Sequence, residues 1–292
     1  MLRRLTVSVL LLSLCASRVN AQGSGADPNR ANIRQQVAAL KWMDGPKPVP
    51  VFGVATVNLP EGYSMLGPED TRRFMELSEN PPSGATEYLV APSDRRWFSV
   101  FEFSPDGYIK DNEKIDAQAL LDAVRKGTEA SNKLRRQKGW PEMTIVGWRY
   151  PPHYDNVTKH LEWAINAVSE GAAVVNFNTR ILGRSGVTSA VLVVDPDALE
   201  ASVKEFSSLV DRYQYIPGQK YSEFRAGDKT AEYGLAALIV GGAAAVATKA
   251  GFWKGLVALL AAGWKIVAAA FVALVGFVKN LFKRKKPDAA LN

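Results

Sequence analysis

The chain has 292 residues, 36 basic and 29 acidic, for a formal charge of +7. That excess sits at the two ends: residues 22–232 hold 25 basic and 28 acidic side chains, a balance of −3, which excludes a strongly basic nucleic-acid-binding domain. A single cysteine, Cys15, excludes a disulfide scaffold.

Residues 1–21 predict a secretory signal. Arg3 and Arg4 form its positive start, residues 5–14 its apolar run, and residues 19–21 a small-residue cleavage site. About ten apolar residues fall short of the roughly 20 that span a bilayer. Leu14 is bulky where a lipidation site ahead of Cys15 needs a small residue. Cleavage after Ala21 leaves a mature chain without cysteine, and so without thiolate chemistry.

Residues 22–232 predict one extracytoplasmic α+β domain. Helical character over 29–42 ends at Gly45-Pro46-Lys47-Pro48. A strand is expected over 51–59 and a short helix over 68–78, opened by Pro68 and early acids. Residues 86–90 and 97–103 are β-rich. Asp116 can cap a long helix that runs to Gln137, and 143–148 reads as a short strand. Three β runs follow at 160–168, 173–182 and 187–194, joined by turns short enough to require antiparallel neighbours. A helix over 196–213 closes the domain. Short hairpins with segregated helices give an antiparallel sheet of the α+β class rather than a doubly wound parallel one.

The last quarter changes character. Residues 233–282 predict a membrane-associated helical region, and 283–292 a basic tail around Lys283, Arg284, Lys285 and Lys286. Residues 255–278 are apolar except for Lys265 and reach about 36 Å as a helix, enough to cross a hydrocarbon core of about 30 Å. Residues 233–248 reach only about 24 Å. An extracytoplasmic domain and a cytoplasmic basic tail together favour one crossing; a two-span hairpin is the alternative. Lys254, Lys265 and Lys279 fall within about 40° of one another around the helix, on a stripe with Ala258, Ala261, Ala268, Ala269 and Gly276. Small-residue stripes let membrane helices approach closely, which offers a route to homo-oligomers and a sheltered groove for Lys265. Snorkelling of Lys265 to the interface is the plainer account.

Metal and cofactor motifs are absent from the sequence, so no cofactor and no metal are expected. Two histidines, His153 and His160, stand outside any zinc-binding pattern. Four patches remain: Asp106 to Asp111, Gly147 to Asp155, Asn176 to Arg184, and Gly218 to Phe224. Flat rings beside Arg, Asn and Asp give specific contacts at low entropic cost. The candidate binding residues are therefore Tyr108, Lys110, Asp111, Tyr154, Asp155, Asn178, Arg180 and Arg184. The competing reading makes Trp148 and Trp163 core, Tyr154 and Asp155 a turn, and Arg180 or Arg184 a structural ion pair.

The same patches carry a resemblance. Gly-Tyr-Ile-Lys-Asp at 107–111, Gly-Trp at 147–148, Pro-x-Tyr-Asp at 152–155, Asn-x-Asn-Thr-Arg-x-Leu-Gly-Arg at 176–184 and Asp-Lys at 228–229 with the Ala-x-Tyr-Gly run from 231 resemble the family catalogued as domain of unknown function 2167. The resemblance covers roughly residues 35 to 285. It implies a bacterial membrane-anchored protein with a secretory signal, and brings no catalytic residue to carry over. The Leu-Pro-x-Gly-Tyr entry at 59–63, the long helix, the β meander and the Asp-Pro helix ending near Tyr-x-Pro-Gly are also similar to the PsbP-like fold, whose members are commonly extracytoplasmic accessory proteins.

The expected function is a membrane-anchored binding or accessory module on the periplasmic side of the bacterial inner membrane, without catalysis. Its partners are the lipid bilayer and an unidentified envelope or membrane protein, with no nucleic acid. Two alternatives stay open: an envelope hydrolase with His153 or a carboxylate as general base, and an accessory subunit of a membrane transport complex.

Overall fold

The structure, a computed structural model, describes residues 28–78, 84–137 and 141–240. The expected signal at 1–21, the apolar run at 255–278 with Lys265, and the basic tail lie outside the described residues. Among the described residues, no helix is long and apolar enough to cross a membrane.

Among the described residues, two antiparallel sheets and five α-helices build the domain. The larger sheet runs β1 (Met43–Asp44), β4 (Tyr63–Leu66), β5 (Glu87–Pro92), β6 (Phe98–Ser104), β10 (Val187–Val193), β9 (Ala172–Leu182), β8 (His160–Ser169), β7 (Met143–Asp155). The smaller runs β11 (Tyr213–Tyr215), β3 (Ala55–Leu59), β2 (Lys47–Val51). The helices are α1 (Pro28–Ala38), α2 (Pro68–Leu77), α3 (Ala117–Gln137), α4 (Leu199–Val210) and α5 (Leu235–Val240). The antiparallel α+β class expected from the sequence is what folds.

The three expected β runs are β8, β9 and β10. Glu170 and Gly171 both take positive φ, 51° and 78°, as the tight turn of a two-residue hairpin demands. Elsewhere the elements depart from expectation for identifiable reasons. The strand expected over 51–59 is a hairpin, because Phe52 and Gly53 turn the chain at positive φ (56° and 71°). Pro48 and Pro50 are admitted because β2 is an edge strand. The short strand at 143–148 runs on to Asp155 through Pro151 and Pro152. It too lies at a sheet edge, and its register shifts absorb the prolines. The helix expected to reach Tyr213 stops at Val210. Tyr213 and Tyr215 then alternate inward across β11 while Gln214 faces out.

Both faces of the larger sheet are covered. On one, β2, β3, β11 and α4 close a core around Val57, Trp97, Phe101, Phe177, Leu192 and Phe206. Trp97 and Phe177 each meet the Phe206 ring edge-on, with centroids 6.2 and 6.1 Å away. Here Tyr215 Oη donates to Ile181 O at 2.9 Å, and Thr188 Oγ1 lies 3.0 Å from Tyr215 Oη and 2.6 Å from Tyr213 Oη. With one proton per hydroxyl, Thr188 donates to Tyr215 and accepts from Tyr213, so each of these three hydroxyls has a partner. Burial pushes the Tyr215 phenol up to about 12.

The opposite face carries two separate apolar clusters. At the β7–β8 end, α3 and α5 cover Leu161, Trp163 and Ile165. At the β4–β5 end, Met75 of α2 packs with Leu66, Leu89, Val100, Val191 and Val193. Leu235, Leu238 and Ile239 of α5 are buried in the first of these clusters. Residues 235–240, expected in the membrane-associated region, therefore complete the domain core.

Phe206 is fully buried between two aromatic rings. Phe206→Ala is expected to destabilise the domain by about 3–5 kcal/mol, measured as a shift in the midpoint of chemical denaturation.

Candidate functional site

Successive side chains of a strand point to opposite faces, and β9 separates two kinds of chemistry by this rule. Val175, Phe177 and Ile181 enter the core under the smaller sheet. Asn176, Asn178 and Arg180 enter the opposite face, along the gap between its two apolar clusters. In register, Asn176 lies between Ile165 and Val193, and Asn178 between Trp163 and Val191. Arg180 lies between Leu161 and Ser189, and the row continues across the sheet from Ser189 to Glu102 and Glu87.

This row is short of partners. Asn176 is 5 % exposed, and among the described residues neither its amide nitrogen nor its amide oxygen has a hydrogen-bond partner. Asn178 Nδ2 donates to the Asn176 backbone carbonyl at 3.2 Å, which leaves its own oxygen for an external donor. Arg180 lies over the Trp163 ring, its guanidinium carbon 4.8 Å from the centroid. The one hydrogen bond of its guanidinium among the described residues is a long 3.4 Å contact to the neighbouring Thr179 carbonyl. Among the described residues, no carboxylate comes within 4.0 Å of it. Burial lowers the Arg180 pKa to about 10, against the supporting field of Glu102. Burial raises the Glu102 carboxyl in turn, and Glu87 adds to the rise.

The other motif residues are spent on a clasp. After β11 the chain returns over 216–234 and crosses the β9–β10 turn and the 105–111 segment. Arg184 grips Asp228 through two bonds of 2.7 Å, and its amide donates to Gln219 O. Tyr108 exchanges backbone bonds of 2.8 Å with Lys229 and Ala231. Its ring stacks on Tyr221 and Phe224, with centroids 4.4 and 4.1 Å away. Tyr221 Oη donates to Ile109 O at 2.8 Å, and Tyr233 Oη donates to Asp106. Gly107 sits at φ 105°, where a Cβ would lie 2.6 Å from Lys229 O. Both the dihedral and the close approach therefore require glycine.

Asp111 ties β7 and β8 to this end. It accepts from Tyr154 Oη and Lys159 Nζ, each at 2.8 Å. Burial works against its charge, but these two bonds outweigh it and hold the carboxyl below its ordinary value. Asp155 accepts from the Val157 and Thr158 amides and fixes the β7–β8 turn. Lys110 is exposed.

The structure thus brings Tyr108, Asp111, Tyr154 and Arg184 to the clasp, Asp155 to a neighbouring turn, and Asn178 and Arg180 to the sheet row. It adds Ser189 and Glu102, which the sequence patches did not include, and Asn176, Tyr221, Phe224 and Asp228, which lay within those patches and motifs without being named as candidate binding residues. For Asn176 the signal was present as a third polar residue at period two with Asn178 and Arg180. His153 is exposed on edge strand β7 opposite Glu162. Glu162 Oε1 accepts from Thr179 Oγ1 at 3.2 Å. Among the described residues, no group of three or more His, Cys, Asp or Glu side chains could hold a metal ion.

The clasp and the row together hold most of the blocks that carry the family resemblance, and the family described as Protein of unknown function (DUF2167) matches residues 44–275. The chain belongs to this family. No curated protein matches it. Among solved structures it is similar to the solution structure of cyanobacterial PsbP (CyanoP) from Synechocystis sp. PCC 6803, at 9 % identity and a TM-score of 0.35. That match covers 67 % of this chain and 97 % of the other.

The Arg184 fork and the Arg225 amide bring the Asp228 carboxyl down to about 2. A depressed carboxylate stabilises the fold above its unfolded pKa, about 3.9, and loses that contribution as pH falls through the folded value. Asp228→Asn is expected to lower the thermal midpoint at neutral pH. The gap from wild type should close between about pH 4 and pH 2, as followed by melting curves across that range.

Proposed function

We propose that this DUF2167 protein is a non-catalytic binding or accessory module of the bacterial envelope. It is delivered outside the cytoplasm by a cleaved signal and held at the inner membrane by the apolar run at 255–278. The partner is an envelope or membrane protein, and the recognition surface is the row Asn176, Asn178 and Arg180. The observation that carries this reading is the division of labour among the motif residues. Asp111, Tyr154 and Arg184 have their side-chain polar groups engaged within the domain, and Tyr108 its backbone and its ring. The row keeps bonding capacity unused on a sheet packed from both sides.

A rigid platform with unspent donors and acceptors is suited to binding, because little entropy is lost when it engages a ligand. The clasp also suits a tethered module. It binds the chain over 216–236 to the sheet by backbone and side-chain bonds. Force arriving from a C-terminal anchor would meet these bonds before it met a free linker.

The test is crosslinking of the full-length protein in cells with a membrane-impermeant reagent. Arg180→Ala is expected to keep the wild-type melting midpoint within a few degrees and to lose the crosslinked adducts. Adducts of unchanged pattern and yield in a folded Arg180→Ala variant would overturn the assignment of the surface. The absence of any extracytoplasmic adduct in wild type would overturn the module itself.

A further inference from the structure

We infer that the row Asn176–Asn178–Arg180 binds a peptide-type ligand ending in a free carboxylate, an inference that rests on the binding-module reading above. Arg180 supplies the first half of the argument. Its guanidinium carbon lies over the Trp163 ring, 4.8 Å from the centroid, and the group lacks an acid partner among the described residues. A guanidinium presents its donors as a planar fork that matches a carboxylate in two parallel bonds. One guanidinium neutralises one negative charge. Glu102 already adds a negative field on the same side, so a monoanionic carboxylate suits the position better than a doubly charged phosphate.

The asparagines supply the second half. A carboxamide offers one acceptor and two donors, the complement of a peptide group. Asn178 keeps its oxygen for an incoming N–H, and Asn176 has both amide atoms unpartnered among the described residues at 5 % exposure. A buried amide in this state is costly and calls for a reason in its surroundings. Same-face residues two apart on a strand stand about 6.6 Å from one another, so Arg180 to Asn176 spans about 13 Å. An extended peptide rises by about the same amount per residue. With its terminal carboxylate on Arg180, its upstream amide groups fall beside Asn178 and Asn176.

The test uses the full-length protein in detergent and calorimetric titration with four probes: tri-alanine, N-acetyl-tri-alanine, N-acetyl-tri-alanine amide, and inorganic phosphate. Saturable binding of one or both acids up to about 10 mM is expected, with the amide weaker by about tenfold or more. Arg180→Lys keeps the charge but removes the fork, and is expected to lose about tenfold for the acids. Equal binding of the acetylated acid and tri-alanine would identify the end of a longer chain as the source. Loss of binding on acetylation would identify a free short peptide. No saturable binding of either acid, equal binding of the amide, unchanged affinity in Arg180→Lys, or tighter binding of inorganic phosphate each overturns the inference. If no acid binds while folded Arg180→Ala still loses its crosslinked partner in cells, the ligand class falls and the binding module stands.

Discussion

Everything distinctive about this domain follows from a sheet that is covered on both faces yet carries a polar row on one of them. With one face exposed, Asn176, Asn178 and Arg180 would be ordinary solvent-facing residues of a half-buried strand. Here the smaller sheet and α4 take one face, while the helices divide the other into two apolar clusters with the row between them. A guanidinium in such a place is costly unless its charge is answered. The protein answers it incompletely, with the face of Trp163 and the field of Glu102 rather than a bonded acid. Glu102 is itself disfavoured as a charge by burial and by Glu87. The row is held together by mutual support that stops short of satisfaction, and an external carboxylate would complete it.

The clasp works by the opposite economy. Its groups come from distant parts of the chain, and their bonds close on one another. No single contact is strong. A solvent-screened ion pair contributes little by itself, and each hydrogen bond only modestly. Their effect comes from number and from shared positions. Tyr108 is paired through its backbone with 229–231 and through its ring with Tyr221 and Phe224. Asp228 serves both the Arg184 fork and the turn at Arg225. Uncommon sequence blocks far apart in the chain are thus explained largely as one mechanical feature, and Arg180 and Asn178 stand apart from it.

The sequence pattern carried the antiparallel meander β8–β10, the long helix α3 and the helix after Asp195, because each has a clear period and clear end signals. It did not carry β2, β4 or β11. These are short, and their strand character depends on the partner more than on the run itself: Pro48 and Pro50 are tolerable only at an edge. For the same reason β7 read as six residues instead of thirteen. The candidate residues were legible as chemistry but not as geography. Alternation at 175–181 looks the same whether the polar side meets water or a second layer of helices. Only the fold distinguishes them. The clasp partners Tyr221, Phe224 and Asp228 lie more than a hundred residues from Tyr108 and Ile109 in the chain, beyond the reach of any local pattern.

The central claim is that the row is retained against stability for the sake of a ligand, and one substitution tests it directly. Asn176→Leu keeps the branching and heavy-atom count of the side chain while removing an amide that finds no partner among the described residues between Ile165 and Val193. Its unfolding free energy, measured by chemical denaturation of the ligand-free protein, should rise by about 1–2 kcal/mol. A fall of similar size would mean that the Asn176 amide is satisfied within the fold, and the account of the row as a site held open for a ligand would be contradicted.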